Sequence, residues 1–470
     1  MSAPILWIML PGISGASLYL IRRWYRVSVI TGTIIAFILA ILARLMPIEA
    51  EINLGPLAIK IAESLEILGR RFVLSDNDRS LLVIIYLLAA FWFGAAYVAR
   101  AGRATVPLGL VVVALLTAAL AVEPYLYAAL LVEMAALVCI PIFVQPEPDQ
   151  YGIQYVTLMG SLRFLTFQTL GMLFLLLTGW VLTGVETTPG PELVVRAASL
   201  MGFGFVLLLA VFPFHTWILM LAEGAKPYAA AFVFLVFSWM VSLYGLRLLD
   251  RYLWLRENDM VLFFLRIAGV MMILVGGWSA VFERHLGRML GYAVMLDTGF
   301  NLLTVTLPSG LPLLFAALPA RALALGIWAL ALSELESKIQ PLEFPQVRGL
   351  GRKLPFASAG VVLAQCSLAG LPLLAFFPVR LLFWQQMIQQ TPWIVWLSIL
   401  GATGLFAAAG RTLIVLTTQV DDIPPSIQEN PQNLVLLGIA LAGMVLMGLF
   451  PHWFLPAMMQ GLQAFDHLAP

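Results

Sequence analysis

Charged residues are scarce in this sequence, which excludes most classes of soluble protein. They make up 11% of its 470 residues, whereas a soluble globular domain carries roughly 25%. The formal net charge is +1, so no basic field is present that would attract nucleic acid. No long polar segment is available to form a soluble catalytic domain. We therefore expect no nucleic-acid partner and no soluble domain.

Cysteine is nearly missing as well. Cys139 and Cys366 are the two cysteines, and both lie inside apolar runs without metal-ligand spacing. No motif for a nicotinamide nucleotide, a flavin or an iron–sulfur cluster is present. We therefore expect no metal, no cofactor and no catalytic centre within this chain.

Long apolar runs dominate what remains. Hydrophobic residues make up 61% of the chain, and the mean hydropathy is +0.97. A window of about 20 residues, the length of a bilayer-spanning helix, predicts about fourteen spans. They lie at 4–21, 27–46, 80–99, 105–122, 125–144, 157–183, 195–216, 226–249, 260–282, 288–308, 310–332, 355–388, 392–418 and 432–458. The sequence thus predicts an all-α polytopic membrane protein with one membrane domain over 1–470, and a short hairpin or amphipathic cover in the loop at 46–79.

Prolines predict two broken helices. Pro213 interrupts one apolar segment, where it removes a backbone hydrogen bond and clashes with the preceding turn. The run at 355–388 is too long for one straight span and contains Pro372 and Pro378. Interrupted helices at corresponding places in two halves are typical of inverted-repeat transporters, whose pathway lies near the middle of the membrane.

Ionisable side chains inside the apolar runs are the candidate proton-pathway residues. Glu133 falls near the middle of the fifth span, and Asp297 lies in the tenth. A lone carboxylate at the bilayer centre costs about 2.5–3.5 kcal/mol, so it should be neutral, paired or facing water. The alternative for each is a protonated carboxyl group hydrogen-bonded to a neighbouring helix. His215 follows Pro213 and is either a gate or relay, or a structural histidine packed at the kink.

Arginines also occur in apolar surroundings. They cannot release a proton at useful pH, but they can pair with an intramembrane acid or extend to the membrane surface. Arg380, just after Pro378, is expected to line the pathway or hold an acidic partner. The other arginines of this kind are Arg163, Arg247, Arg321 and Arg411.

Three motifs resemble one family of membrane subunits. The sequence PFHTW at 213–217 is similar to the family's motif at its broken seventh helix, and RMLGY at 288–292 to the start of its tenth helix. SLAGLP at 367–372, preceded by RGL at 348–350, is similar to the approach to the broken twelfth helix. The chain thereby resembles the antiporter-like membrane subunits of respiratory complex I, which are related to subunits of multi-subunit cation/proton antiporters and membrane-bound hydrogenases. The last motif favours the N-type subunit, and the antiporter-like core would cover about 105–418.

The resemblance implies a row of charged residues that carries protons across the membrane. In the family it comprises a glutamate on helix five, lysines on helices seven and eight, and a lysine or glutamate on helix twelve. Glu133 matches the first position, whereas Leu208 stands at the helix-seven position and 238–240 provide no base on helix eight. Arg380 stands at the helix-twelve position, and Asp297 replaces a residue that is commonly histidine or serine. The central part of the family's pathway is therefore interrupted.

Two functions from different classes follow. The first is a proton-translocating, or degenerate, antiporter-like subunit of a complex-I-like NAD(P)H/ferredoxin-quinone oxidoreductase in a bacterial plasma membrane or a thylakoid membrane. Its expected partners are other membrane subunits, the lipid bilayer and protons. The second is a non-transporting scaffold that docks a partner, favoured by the missing lysines. A subunit of a separate cation/proton transporter is also compatible with the sequence.

Overall fold

A computed structural model describes residues 2–49, 51–54, 57–67, 69–144, 151–187, 191–256, 258–419, 428–465 and 468. Helices make up most of this part of the chain. In chain order the α-helices are α1 Leu10–Leu20, α2 Tyr25–Leu45, α3 Arg79–Ala96, α4 Thr105–Ala121, α5 Ala128–Phe143, α6 Tyr151–Thr187, α7 Pro191–Leu208, α8 Thr216–Gly224, α9 Pro227–Arg251, α10 Leu253–Arg256, α11 Asp259–Phe282, α12 Leu286–Val305, α13 Gly310–Glu336, α14 Phe344–Val347, α15 Pro355–Ala369, α16 Phe377–Gln390, α17 Pro392–Thr417, α18 Pro431–Leu449 and α19 Leu455–Met459.

The helices have the length and composition of membrane spans. Within the described residues, nine helical segments are long and apolar enough to cross a membrane, and three further apolar helices are shorter. Each of the fourteen predicted spans contains a helix. The predicted spans that are not among these nine segments contain a short helix such as α4, a piece of a broken helix such as α7 or α15, or the less apolar helix α12. The all-α polytopic fold class is confirmed.

Short strands cover one end of the bundle. Strands β1 Glu51–Leu54 and β2 Leu57–Lys60 pair as an antiparallel hairpin, and β3 Ser64–Ile67 pairs with β4 Arg70–Val73. Strand β5, Val122–Glu123, adds to β4 from the loop after α4. The hairpin predicted for 46–79 is therefore present, and it is followed by a second one.

Both predicted helix breaks are present. The first lies between α7 and α8 and contains Pro213, and the second lies between α15 and α16 and contains Pro372. Pro378 differs from the prediction, because it occupies the first turn of α16 rather than the break. Proline fits there since the first amide hydrogens of a helix have no acceptor within that helix. Pro378 therefore lies in the first turn of the second half-helix.

The two breaks occur at the same place in two similar units. The first unit contains α4, α5, α6, the broken pair α7 and α8, and α9; the second contains α11, α12, α13, the broken pair α15 and α16, and α17. Each unit thus has five members, and an odd number is the arrangement expected of inverted repeats. The units meet where α12 contacts α8 and where α13 contacts α9. α9 and α13 are the most enclosed of the nine candidate spans, so they form the centre of the described molecule.

Candidate functional site

Glu133 lies near the middle of α5, at the seam with α6. Its Oε1 accepts a hydrogen bond from Thr169 Oγ1 of α6 at 2.7 Å. Its Oε2 is buried and has no hydrogen-bond partner within the described residues, and no ion pair involves this carboxyl group there. A half-buried carboxyl group with one unbonded oxygen can take up and release a proton.

Leu208, the last residue of α7, packs directly against α6. Its carbonyl oxygen accepts a hydrogen bond from Gln168 Nε2 at 3.3 Å, which satisfies a carbonyl group freed by the helix break. A Cβ atom added to Gly171 would lie 2.8 Å from Leu208 Cδ2, so the two helices touch closely here. An apolar contact thus occupies the position at which the family resemblance implies a lysine.

His215 lies at the end of the first break, immediately before α8. Its ring is half-buried and stacks on Phe212, with centroids 5.6 Å apart and an interplanar angle of 25°. Its Nδ1 is buried and without a hydrogen-bond partner within the described residues. No hydrogen bond joins the ring to Glu133 or Asp297 in that part of the chain, so the structure does not bring the three candidates together in one contact.

Each break holds one non-glycine residue in a left-handed backbone conformation. Ala210 has a φ of 53° in the first break, and Leu373 has a φ of 72° in the second. Such residues cost of order 1–3 kcal/mol each, persist only where the surrounding structure over-determines them, and concentrate at functional positions. The two breaks therefore share a strained turn as well as a proline.

Asp297 on α12 lies between two arginines. Its Oδ1 is 3.2 Å from Arg380 Nη2 of α16, and its Oδ2 forms an ion pair with Arg321 Nε of α13. Arg321 also donates a hydrogen bond to Asn301 Oδ1, one turn along α12 from Asp297. All four side chains are buried. When the three ionisable groups are charged, this cluster carries two positive charges against one negative charge.

Arg380 is enclosed by aromatic rings and by the end of α15. Its guanidinium carbon lies 3.4 Å from the centre of the Phe300 ring and 4.9 Å from that of Phe376. Its Nη2 is also 3.5 Å from the Leu368 carbonyl oxygen, near the C-terminus of α15. Cation–π contacts and the negative end of a helix dipole both stabilise a positive charge. Arg380 thus ties both pieces of the second broken helix to Asp297.

The other arginines in apolar surroundings have different environments. Arg247 forms an ion pair with Asp78 at the start of α3, and Arg411 Nη1 is 3.4 Å from the Glu283 carbonyl oxygen. Arg163 is exposed on α6. None of the three contacts Glu133 or Asp297 through an ion pair within the described residues.

Several contacts of the site were not predicted from the sequence. Thr169 and Gln168 were not predicted as partners, although two consecutive polar residues in an apolar span are a usable signal. Asn301 was also missed, and its spacing of one turn from Asp297 is the signal for a shared helix face. Arg321 was named only as one of several arginines able to pair with an acid.

The described residues contain no group of three or more histidine, cysteine, aspartate or glutamate side chains that could hold a metal ion. Cys139 and Cys366 are both buried and unpaired.

The sequence matches one protein family over more than half of its length. The profile of the family described as NADH:quinone oxidoreductase/Mrp antiporter, TM matches residues 156–407. NADH-quinone oxidoreductase subunit N of Rhodopseudomonas palustris (strain BisA53) is 31% identical over 226 residues, which cover 46% of this chain and 45% of that protein. The protein of the same name from Ectopseudomonas mendocina (strain ymp) is 27% identical over 331 residues, which cover 64% of this chain and 63% of that protein. The chain thus spans about half the length of the curated relatives it matches.

Solved structures share the fold over almost the whole chain. A chain of the archaeal membrane-bound sulfane sulfur reductase matches with a TM-score of 0.82 and 14% identity, covering 99% of both chains. A chain of the Mrp complex from Dietzia sp. DQ12-45-1b matches with a TM-score of 0.79 and 17% identity, covering 99% of this chain and 97% of that one. A chain of respiratory complex I from Thermus thermophilus with bound NADH matches with a TM-score of 0.70 and 21% identity, covering 99% of this chain and 100% of that one. The shared fold agrees with the family profile, and because that profile matches more than half of the sequence, the chain belongs to the transmembrane family of NADH:quinone oxidoreductase and Mrp antiporter subunits.

Proposed function

We propose that this chain is an antiporter-like membrane subunit of a complex-I-like NAD(P)H/ferredoxin-quinone oxidoreductase and that it moves protons by a modified route. The pathway lies within the antiporter-like core at about 105–418. The chain acts in a bacterial plasma membrane or a thylakoid membrane beside other membrane subunits. Electron transfer takes place in those other subunits, and this chain contributes to proton translocation.

The environment of Glu133 is the main support for this proposal. Glu133 places a carboxyl group in the middle of a membrane-spanning helix, held by Thr169 and without a cation in contact within the described residues. An intramembrane acid of this kind is costly, and such groups usually mark proton or ion pathways. Glu133 is therefore the proposed proton carrier, and His215, at the strained break, is the proposed gate or relay.

The second unit has a different role in the proposal. Asp297 is the acid of that unit, and Arg380 with Arg321 supplies fixed positive charge on either side of it. Because arginine keeps its proton, these groups act on the pathway through their electric field. The electrostatic interaction of these charges with Glu133 depends on whether that carboxyl group is protonated, which is the physical basis for coupling the two units.

Isolation of the complex tests the partner assignment. The chain, tagged at one end, is extracted from its native membrane in a mild detergent and passed over an affinity column. We expect quinone reductase activity with NAD(P)H or reduced ferredoxin to elute with the tag, together with other antiporter-like chains detected by mass spectrometry. The same tag on an unrelated polytopic protein is the control. Recovery of the chain alone, or with one soluble protein, would contradict the assignment.

A non-transporting scaffold is the second candidate function. Leu208 favours it, because an apolar side chain packed on Gly171 cannot exchange a proton where the family resemblance implies a lysine. A scaffold would be recovered in the same complex, but substitution of Glu133 would leave proton movement unchanged.

A further inference from the structure

Five exposed arginines lie on two neighbouring turns of the chain. Arg22 and Arg23 lie in the turn between α1 and α2, and Arg26 follows in the first turn of α2; Arg100 and Arg103 lie in the turn between α3 and α4. Neither 21–26 nor 97–104 contains an acidic residue. None of the five forms an ion pair within the described residues. We call these five side chains the arginine patch.

Tyr25 holds the two turns together. Its hydroxyl group donates a hydrogen bond to the Ala96 carbonyl oxygen at 2.7 Å, and its ring centroid is 5.6 Å from that of Tyr97. Arg26 follows Tyr25 directly, and Arg100 lies three residues after Tyr97. The positive charges of the two turns therefore share one end of the bundle.

Aromatic and apolar side chains border the arginine patch. The Arg22 guanidinium carbon lies 4.1 Å from the centre of the Tyr19 ring. Trp24 is 69% exposed and Leu20 is 84% exposed. Tryptophan, tyrosine and arginine together are typical of the boundary between headgroups and hydrocarbon. This composition places the arginine patch at the level of lipid headgroups.

An exposed apolar track runs away from the arginine patch along α2. It begins at Val27 and ends at Ile41, a distance of about 21 Å at 1.5 Å per residue. That distance exceeds half of a hydrocarbon core about 30 Å thick. The exposed large side chains of the track are Val27, Ile30, Ile34, Phe37, Ile38 and Ile41. The track is long enough to accompany one acyl chain through its leaflet.

We propose that the arginine patch and this track form a binding site for an anionic phospholipid. Guanidinium groups donate paired hydrogen bonds to phosphate oxygens, and basic clusters beside membrane spans attract anionic headgroups. The headgroup phosphate binds between the two turns, and an acyl chain follows the outer face of α2. Basic loops also orient a protein during membrane insertion, but that role needs neither the Tyr25 contact nor the apolar track.

Native mass spectrometry of the purified full-length chain tests this proposal. The probes are phosphatidylglycerol and phosphatidylcholine with the same acyl chains, added to the protein in a neutral detergent. The patch variant is R22Q/R23Q/R26Q. The matched control is R348Q/R352Q/K353Q, which removes the same charge from three other exposed residues. Wild type and control should retain phosphatidylglycerol in preference to phosphatidylcholine, and the patch variant should retain at least about tenfold less of it.

Three outcomes would overturn the proposal. The first is equal retention by the patch variant and the control, and the second is equal retention of the two lipids by wild type. The third is binding of inorganic phosphate alone that displaces the lipid, which would assign the site to free phosphate. If R22Q/R23Q/R26Q is not recovered folded, R100Q/R103Q removes two charges of the same patch from the other turn, with R348Q/R352Q as its control, and the same comparison applies.

Discussion

Glu133 and Asp297 occupy the second helix of their respective units but have opposite surroundings. Thr169 is the hydrogen-bond partner of Glu133, whereas Asp297 contacts two arginines. Removing one member of a buried ion pair leaves an uncompensated charge, which typically costs about 3–5 kcal/mol. The two carboxyl groups should therefore respond very differently to replacement by the corresponding amide.

Asp297→Asn should destabilise the protein strongly. The change keeps the side-chain volume but removes the one carboxylate that Arg321 and Arg380 contact within the described residues. We expect a loss of about 3–5 kcal/mol, measured as a lower thermal unfolding midpoint of the purified protein in detergent. Arg321→Gln in the same chain should restore part of that loss, because it removes one of the two unbalanced cations.

Asp259→Asn is the matched control, because Asp259 is the exposed first residue of α11. It should change the free energy of unfolding by less than about 1 kcal/mol. A double variant no more stable than Asp297→Asn alone would show that the arginines do not depend on this carboxylate.

At the scale of helices, proline positions and hydropathy predicted most of what was found. Pro213 and Pro372 lie in breaks as expected, because the effect of a proline on its own helix is local and does not depend on the neighbouring helices. Pro378 was placed wrongly, since proline is also favoured in the first turn of a helix. The contacts of Thr169 and Leu208 depend on the register between helices, which hydropathy along one helix does not encode.

Gly171→Ala should loosen the contact between α6 and the end of α7. The added Cβ would lie 2.8 Å from Leu208 Cδ2 and 3.0 Å from the Gly204 carbonyl oxygen. Relieving the second contact requires a shift of the α7 backbone, which costs more free energy than a change of side-chain rotamer. Overpacking of this kind typically costs about 1–3 kcal/mol. Gly202→Ala on α7 is the control, because its Cβ would meet nothing within 4 Å. Thermal unfolding that ranks the two variants in the opposite order would contradict the close contact.

The N-terminus of α12 should make stability depend on pH. His285 Nδ1 accepts hydrogen bonds from the backbone amides of Gly287 at 3.2 Å and Arg288 at 3.4 Å. Burial lowers the pKa of His285 from 6.5 to about 4, against a smaller opposing effect of Glu283. The neutral ring therefore stabilises the fold fully above about pH 6.5, and this stabilisation is lost as the pH falls towards 4.

His285→Asn keeps a capping side chain but cannot titrate. Between pH 7 and pH 4.5, wild type should lose roughly 1–3 kcal/mol more stability than this variant, measured by thermal unfolding in detergent. His452→Asn changes an exposed histidine and should follow the wild-type curve. Parallel curves for wild type and His285→Asn would mean that the cap does not titrate in this range.

At the scale of the whole molecule, two units of the same architecture carry different charges. The first contains Glu133 with Leu208 at the end of its broken helix, and the second contains Asp297 with two arginines. The sequence was sufficient to predict the family and both breaks, and each of these residues could be named from it. It did not predict that Arg321 and Arg380 meet at the same carboxylate, because that requires the positions of α12, α13 and α16 together.

Glu133 is the proposed proton carrier, and proton uptake by the reconstituted complex tests this role. The complex isolated with this chain is placed in lipid vesicles, and proton uptake is measured per electron delivered to quinone. Glu133→Gln is compared with Glu192→Gln, which makes the same chemical change at a carboxylate that is 88% exposed. We expect fewer protons per electron for Glu133→Gln and the wild-type ratio for Glu192→Gln. An unchanged ratio in both variants would contradict the carrier role and favour the scaffold.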